Sequence, residues 1–266
     1  MKNTKLVGIL NITPDSFSDG GAYNNSLTAA KQLELMLSAK PDIIDIGAIS
    51  TRPNSKIPSV AEEIARFDAI LPAITLILKV SSMKISIDTY NFETAKYLLN
   101  LLPIAWINDQ SGFIDQQMIN LVKDTEIKLV IMHHLTIPAD PQKIVPENLD
   151  IVLVVKNWLL EKAKYLINQG IKPEQIILDP GIGFGKSAIQ SWQLIKEAKS
   201  LVNLGYPIMY GHSRKSFLNL VTDQDFSERD LETAILSTYL TNCGVDYLRV
   251  HNLKANLRAL KLKEFI

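Results

Sequence analysis

A regular alternation of short apolar segments with longer amphipathic segments runs through the whole chain. The short segments are rich in Ile, Leu and Val, as is typical of buried strands, and the longer ones carry apolar residues at helical spacing. Strands that alternate with helices predict a parallel sheet, because two parallel strands need a crossover connection. The predicted strands are Leu6–Leu10, Ile43–Ile46, Ile85–Ile87, Ile104–Ile107, Leu129–Met132, Ile176–Leu178, Ile208–Tyr210 and Tyr247–Val250.

Eight such strands favour a closed (β/α)8 TIM barrel over an open sheet. The chain has 266 residues, and one barrel of this kind typically has about 250. Polar residues follow every predicted strand, as expected if all eight loops converge on one mouth; an open doubly wound sheet is the alternative. We predict an α/β fold, an eight-stranded parallel barrel, with a single domain over residues 1–266.

The segments between the strands predict helices. The longest, Val60–Leu78, contains Pro72, which predicts a kink because proline lacks the N–H that a helix interior needs. The other predicted helices are Leu27–Ala39, Phe92–Leu101, Gln116–Val122, Ile151–Ile167, one that contains Trp192–Lys199, a short one at Ser216–Val221, Glu232–Thr241 and Lys254–Leu262.

The composition narrows the range of partners. The formal net charge is zero and gives no electrostatic reason to bind nucleic acid or an anionic membrane. Cys243 is the only cysteine, which excludes intrachain disulfides and cysteine-based zinc sites. No apolar run approaches the length of a membrane span, and the N-terminal segment becomes polar at Asn11 before a signal region forms. We expect a cytoplasmic protein with no nucleic-acid or membrane partner.

The loop after the sixth strand has the composition of a ligand-binding loop. Asp179 ends the strand, and Gly181, Gly183 and Gly185 follow with Phe184 between them. Glycines let a bound group approach the main chain closely, and the strand's carboxyl end is where α/β folds bind ligands. A P-loop is excluded because its first glycine position is Pro180. A glycine-rich turn without a ligand is the alternative.

Polar side chains at the ends of several strands predict one shared site. Carboxylates, an amide and a lysine around one mouth suit a flat heterocycle, since carboxylates accept from amino and ring N–H groups and lysine donates to a carbonyl. The alternative is that single carboxylates cap neighbouring helices. The converging residues are Asn11, Asp88, Asn108, Asp179, Lys215, Arg249 and His251.

Basic residues on the last loops predict an anion site. Barrels often hold phosphate after strands seven and eight, and Ser213 precedes a short helix whose N–H groups would add to such a site. Solvated surface charge is the alternative. The basic residues are Arg52, Arg214, Lys215, Arg249 and His251.

Two long loops and two adjacent histidines complete the predicted mouth. The loops Asn11–Gly21 and Gly47–Lys56 are long enough to close as lids over a ligand. His133 and His134 are adjacent and therefore point to opposite faces of a strand, which disfavours joint chelation of one metal. If a metal is used, an oxygen-ligated Mg²⁺ beside a pyrophosphate is favoured over zinc.

Segments spread along the chain together resemble the dihydropteroate synthase family. They are LNITPDSFSDGG at Leu10–Gly21, STRP at Ser50–Pro53, IDT at Ile87–Thr89, IND at Ile107–Asp109, MH at Met132–His133, LDPGIGFGK at Leu178–Lys186, SRKS at Ser213–Ser216 and RVH at Arg249–His251. The resemblance implies a (β/α)8 barrel that joins dihydropterin pyrophosphate to p-aminobenzoate, giving dihydropteroate and pyrophosphate in folate biosynthesis. It also implies a homodimer with Mg²⁺ as cofactor.

The resemblance also implies, by matched position, which residues act on each substrate. The residues expected to bind the pterin are Asp88, Asn108, Met132, Asp179 and Lys215. For p-aminobenzoate they are Phe17, Thr51, Arg52, Pro53, Phe184, Lys215 and Ser216. For pyrophosphate they are Asn11, Arg52, Arg249 and His251, with Asn11 also the ligand of Mg²⁺. The residues expected to be catalytic are Asp19, Asp88, Asp179, Lys215, Arg249 and His251.

Four positions depart from the family pattern, and other functions stay open. The departures are Ile49, where many members have Glu, Gln110, where an aliphatic residue is common, His134, and Asn252, which replaces the usual Asp. Gln110 and His134 are expected to alter the floor of the pterin pocket and its affinity. A pterin-dependent methyltransferase would share the Asp and Asn contacts but lack STRP, SRKS and RVH. A catalytically silent pterin-binding paralogue is the second alternative. A domain of a larger folate enzyme is also compatible with a first strand so near the start of the chain.

Overall fold

The computed structural model describes residues 4–13, 22–50, 57–140, 142–263 and 265, with the backbone alone for 22–28 and 30. Eight predicted strands are present, each within two residues of its predicted ends. They are β1 (Lys5–Asn11), β2 (Ile43–Gly47), β3 (Lys84–Asp88), β4 (Ile104–Asp109), β5 (Lys128–Met132), β6 (Ile176–Asp179), β7 (Met209–Tyr210) and β8 (Tyr247–Val250).

These strands form a parallel eight-stranded sheet that curls into a barrel. Its order is β6-β5-β4-β3-β2-β1-β8-β7, with every strand parallel to its neighbours. The two end strands meet through a parallel bridge between Leu178 and Ile208, where Leu178 N donates to Pro207 O at 2.9 Å. The prediction of a (β/α)8 barrel over an open sheet is therefore confirmed.

Helices follow the strands and surround the barrel. The described helices are α1 (Ala22–Ser38), α2 (Val60–Asp68), α3 (Leu71–Val80), α4 (Phe92–Leu99), α5 (Gln116–Val122), α6 (Ile151–Asn168), α7 (Ala188–Lys196), α8 (Ala198–Val202), α9 (Asp230–Asn242) and α10 (Leu253–Lys263). Short 3₁₀ turns occupy Pro173–Gln175, Ser216–Leu220 and Phe226–Glu228.

Three predicted helices are wrong in extent, and the first of them, predicted from Leu27, begins at Ala22. Val60–Leu78 is two helices, with Pro72 in the first turn of α3. Proline is tolerated there because the first N–H groups of a helix have no partner within it, so the chain breaks before Pro72 where a kink was predicted. The single helix predicted to contain Trp192–Lys199 likewise divides into α7 and α8.

The apolar core has an inner and an outer part. Outside the barrel, the strands pack against the helices in one large cluster. Inside, Trp106 meets Tyr247 edge-to-face with ring centroids 4.7 Å apart. The residues that fill this inner floor are Val7, Ile43, Trp106, Val130, Ile177 and Met209.

Among the described helices, none combines the length and the apolar character needed to cross a membrane.

Candidate functional site

The alternation of side chains along the strands brings the polar residues together. Residues two apart on a strand point to the same side of the sheet. On β4, Trp106 lies in the inner floor and Asn108 lines the cavity above it. On β6, Ile177 likewise lies in the inner floor and Asp179 lines the cavity. The floor therefore fills the N-terminal end of the barrel, and polar groups face the C-terminal end.

A cavity of about 790 Å³ opens at the C-terminal ends of the strands. All seven residues predicted to converge line it, namely Asn11, Asp88, Asn108, Asp179, Lys215, Arg249 and His251. Three further predicted residues, Met132, Phe184 and Ser216, also line it. The remaining predicted residues Phe17, Asp19, Thr51, Arg52 and Pro53, and most of both predicted lid loops, lie outside the described residues.

One wall of the cavity is a buried cluster of charges around Arg249. Its Nε donates to Asp45 Oδ2 at 2.6 Å and its Nη2 to Asp88 Oδ2 at 2.7 Å. Asn108 Nδ2 also donates to Asp45 Oδ2, at 3.0 Å. Burial raises the pKa of Asp88 to about 7, against the opposing effect of Arg249. Asp88 is thus poised to change charge near neutral pH.

The second wall pairs an acceptor with a donor. Asp179 is 4% exposed, and its Oδ1 accepts from Gly181 N at 2.7 Å. Lys215 Nζ donates to Ile182 O and lies 4.6 Å from the centroid of the Phe184 ring. Burial raises the pKa of Asp179, against the attraction of Lys215, and burial lowers the pKa of Lys215 to about 8, against the attraction of Asp179.

The glycine loop after β6 needs glycine for both conformation and space. Gly181 has φ of 66°, and a β-carbon built on it would overlap the carbonyl oxygen of His133. Gly183 has φ of 81°, and its β-carbon would lie 3.5 Å from Cδ of Lys215. Positive φ is costly for residues other than glycine. Gly181 therefore lets the loop pass closely by the backbone of His133, and Gly183 is needed for its backbone conformation alone.

Lys186 supports this loop from below. Its Nζ lies 2.8 Å from Nδ1 of His133 and donates to Phe184 O at 2.8 Å. His133 and His134 both pack edge-on against Trp158. Burial, followed by the nearby Lys186 charge, lowers the pKa of His133 to about 3, so its imidazole is neutral and accepts from Lys186. Lys186 thus ties the glycine loop to the end of β5.

Of the basic residues predicted to form an anion site, Lys215, Arg249 and His251 line the cavity, whereas Arg214 binds Asp230 and does not line it. Arg214 donates through Nε and Nη2 to the two oxygens of Asp230, at 2.7 and 2.8 Å. Asn252 Nδ2 donates to the same carboxylate at 2.7 Å. An aspartate at position 252 would face Asp230 with a second negative charge, whereas the Asn252 amide donates to it. His251 lines the cavity, with Nδ1 3.0 Å from Oγ of Ser213.

Asp45 was not predicted as part of this site, and Gln110 was predicted only as a departure from the family pattern at the floor of the pterin pocket. Asp45 is 1% exposed and binds Arg249, and Gln110 binds Asp88 through Nε2. The period-two alternation could have identified both, because Asp45 stands two residues after Ile43 of the inner floor and Gln110 two after Asn108.

The eight-stranded parallel barrel, with acidic and basic groups at its C-terminal mouth, places the chain among (β/α)8-barrel proteins with a polar ligand site at that mouth. The pterin binding enzyme family matches residues 7–251. The chain belongs to this family.

Similar proteins place the chain within the family. A dihydropteroate synthase of Staphylococcus haemolyticus is 35% identical over 100% of this chain and 96% of its own length. A folate synthesis bifunctional protein of Chlamydia caviae is 35% identical over 97% of this chain, and the alignment spans 58% of that protein. A crystal structure of dihydropteroate synthase from Anaplasma phagocytophilum with bound 6-hydroxymethylpterin-monophosphate superposes with a TM-score of 0.88, at 36% identity and 98% coverage of both chains. The predicted relationship to dihydropteroate synthases is confirmed.

Proposed function

We propose that this protein is a dihydropteroate synthase, a transferase that joins 6-hydroxymethyl-7,8-dihydropterin pyrophosphate to p-aminobenzoate in folate biosynthesis. The observation that carries the proposal is the convergence of Asp88, Asn108, Asp179 and Lys215 on one cavity in a member of this family. These groups supply acceptors and a donor to opposite edges of a flat ring. Relatives with this activity are similar over nearly their whole length.

The pterin lies between the two polar walls in this proposal. Asp179 accepts from the amino group and ring N–H of the pterin, and Lys215 donates to its carbonyl. Asp88 and Asn108 face the opposite ring edge, and Met132 packs against the ring. The burial of Asp88, Asn108 and Asp179, each under 9% exposed, supports this arrangement because buried polar groups need partners.

Pyrophosphate binds at the outer rim, near Asn11, Arg52, Arg249 and His251. Asn11 ends β1 and His251 follows β8, and these strands are neighbours in the sheet. The Nε and Nη2 groups of Arg249 already bind two carboxylates, which fix the position of its guanidinium before any anion arrives.

Mg²⁺ is the proposed cofactor, with Asn11 as its protein ligand. No group of three or more His, Cys, Asp or Glu side chains suited to a metal occurs among the described residues. A single amide oxygen fits Mg²⁺, which keeps waters and takes substrate phosphate oxygens as ligands. When bound, the ion would offset negative charge on the pyrophosphate.

The p-aminobenzoate pocket is proposed at the outer side of Lys215. Phe184 and Ser216 line the cavity there, and the Phe184 ring lies beneath the Lys215 ammonium. The aromatic face suits the ring of p-aminobenzoate, and Lys215 attracts its carboxylate. Phe17, Thr51, Arg52 and Pro53 complete the proposed pocket, and Asp19 is proposed to assist the reaction.

The reaction proceeds by departure of pyrophosphate before attack of the amine. The bond between the pterin methylene carbon and the pyrophosphate oxygen breaks, and its electron pair leaves with the pyrophosphate. The carboxylates of Asp88 and Asp179 stabilise the resulting pterin methylene cation. The amine of p-aminobenzoate then forms the C–N bond and releases a proton. Arg249 and His251 balance the charge of the leaving group, and Lys215 holds both reactants in place.

A homodimer and a cytoplasmic location belong to the same proposal. An apolar face between α9 and α10 supports the dimer. Its members are exposed by 58% to 86% of their surface and would gain from burial in a partner. They are Leu231, Ile235, Leu262 and Phe265. The proposed partners are otherwise the two small-molecule substrates, without nucleic acid or membrane.

Pyrophosphate release from dihydropterin pyrophosphate, followed with and without p-aminobenzoate and Mg²⁺, tests the function. We expect release that depends on both, with dihydropteroate formed in equal amount. A folded protein that binds the pterin but releases nothing would identify a silent pterin-binding paralogue. Methyl transfer to or from a pterin cofactor would favour the methyltransferase alternative.

A further inference from the structure

Arg214 has a left-handed backbone conformation next to the cavity. Its φ is 59°, which is unfavourable for a residue with a β-carbon. Such a conformation persists only where neighbouring groups fix it, and it is common at active sites. Lys215, the next residue, lines the cavity, so the conformation of Arg214 sets the direction in which the chain presents Lys215.

The start of α9 binds Arg214 through both its backbone and its side chain. Arg214 N donates to Thr233 Oγ1 at 3.1 Å. Its guanidinium donates through Nε and Nη2 to the two oxygens of Asp230, at 2.7 and 2.8 Å. Isolated surface ion pairs contribute little, but this one is bidentate and its side chains are only 21% and 23% exposed. Asp230 therefore anchors the loop after β7.

Asp230 also binds the loop after β8. Asn252 Nδ2 donates to Asp230 Oδ2 at 2.7 Å, and Asn252 directly follows His251, which lines the cavity. Burial alone would raise the pKa of Asp230, but the hydrogen bonds from Arg214 and Asn252 lower it below its ordinary value. The carboxylate is therefore charged at neutral pH, and it joins the loops after β7 and β8.

The family pattern has a carboxylate at position 252, and this chain has one at position 230. Arg214 Nη2 and Asn252 Nδ2 donate to the same oxygen of Asp230, so the side chain of residue 252 lies beside the guanidinium. Asn252 Oδ1 accepts from Ala255 N at 3.0 Å. An aspartate there could keep that bond, but its second oxygen would face Asp230 and repel it. One carboxylate, at either position, therefore suits Arg214 better than two.

We propose that Asp230 is a positioning residue that replaces, as the partner of Arg214, the carboxylate that family members usually carry at position 252. It fixes the loops after β7 and β8, which present Lys215 and His251 to the cavity. Asp230 does not itself line the cavity, so it acts without contact with a substrate. Its part in the reaction rests on the proposed function, since Lys215 and His251 are assigned to the substrates of that reaction.

Reciprocal exchange of the two side chains tests this role. Asp230→Asn leaves Arg214 without its counter-charge, and Asn252→Asp places two carboxylates together, so we expect each to lower kcat/KM for dihydropteroate formation about tenfold. The double variant Asp230→Asn/Asn252→Asp has one carboxylate again and should return to within about threefold of the wild type. Asp223→Asn makes the same change of charge at an exposed position between β7 and α9, and as the control it should leave kcat/KM unchanged.

Amide hydrogen exchange of the same proteins measures the loops without depending on turnover. Residues 211–216 and 249–253 should exchange about tenfold faster in Asp230→Asn and at the wild-type rate in the double variant. Wild-type values of either quantity in Asp230→Asn would overturn the positioning role. A loss that the double variant does not restore would overturn the replacement of position 252 by position 230. A wild-type protein that forms no dihydropteroate would instead contradict the proposed function, and hydrogen exchange would still decide whether Asp230 holds the two loops.

Discussion

Arg249 on β8 donates to Asp88 on β3, with Nη2 2.7 Å from Oδ2, across 161 positions of sequence. The same guanidinium binds Asp45 on β2 at 2.6 Å. One cation therefore compensates two carboxylates that are both under 9% exposed. A single positive charge shared in this way makes the site sensitive to the loss of the arginine and to protonation of either acid.

The first prediction concerns the loss of this arginine. Arg249→Met removes the cation and leaves Asp45 and Asp88 buried side by side. Breaking a buried pair costs about 3–5 kcal/mol, and we expect an unfolding free energy lower by about that amount at pH 8. The loss should shrink at pH 5, because a protonated Asp88 no longer needs a counter-charge. Urea denaturation at the two pH values measures both effects, and an equal loss at both would contradict the pairing.

The second prediction concerns the pH dependence of stability. The pKa of Asp88 is raised from an ordinary value of 3.8 to about 7 in the folded chain. Folding therefore binds a proton, and the stability from this group is complete below pH 3.8 and is lost as the pH rises through 7. Asp109 and Asp179 shift in the same direction. The pKa values of the buried His133 and His212 shift the other way, to about 3 and about 4, so their contribution to stability rises over the same range. We therefore expect the contribution of the three carboxylates to the unfolding free energy, and not the total, to fall between pH 4 and pH 7.

The variant Asp88→Asn tests how much of this pH dependence of stability comes from Asp88. We expect the contribution of Asp88 to the pH dependence of the unfolding free energy to disappear in this variant, because the amide does not titrate. The contributions of Asp109 and Asp179 should remain. Asp223→Asn, at an exposed position, makes the same change of charge as a control. A wild-type slope in Asp88→Asn would show that Asp88 does not have a raised pKa.

The third prediction concerns Lys215. Its ammonium lies over the Phe184 ring and beside Asp179, where both substrates are proposed to meet. Lys215→Ala should lower kcat/KM about 10²-fold to 10³-fold, as removal of one charged group at a reaction centre typically does. The melting temperature should change little, since Lys215 is only half-buried. Lys199→Ala, on the exposed surface of α8, is the control, and near wild-type turnover in Lys215→Ala would remove Lys215 from the site.

The fourth prediction compares two glycines with positive φ. Gly181 has φ of 66° and its β-carbon would overlap His133 O, whereas Gly205 has φ of 86° and nothing within 4 Å. Gly205→Ala should cost about 1–2 kcal/mol for the backbone conformation alone. Gly181→Ala should cost more and also weaken pterin binding, because the loop beside Asp179 must move. Urea denaturation and pterin titration compare the two, and equal losses of stability would rule out the contact with His133.

Much of the fold could be predicted from local patterns. Short β-branched runs locate the strands, because such residues suit a strand packed on both faces. Helix ends were less predictable. The break before Pro72 depends on how α2 and α3 pack, and a proline is compatible with both a kink and a new helix start.

The sequence by itself determined the eight strand–helix units, the polar residues after each strand and the family, since the segments that carry these features are local. Only the tertiary structure decided which polar groups pair. Arg249 meets Asp45, separated from it by 204 positions, and Gln110 meets Asp88 because both side chains point into the barrel. Hydrogen bonds depend on ångström distances between side chains, and these distances exist only once the strands have closed into a barrel with one register.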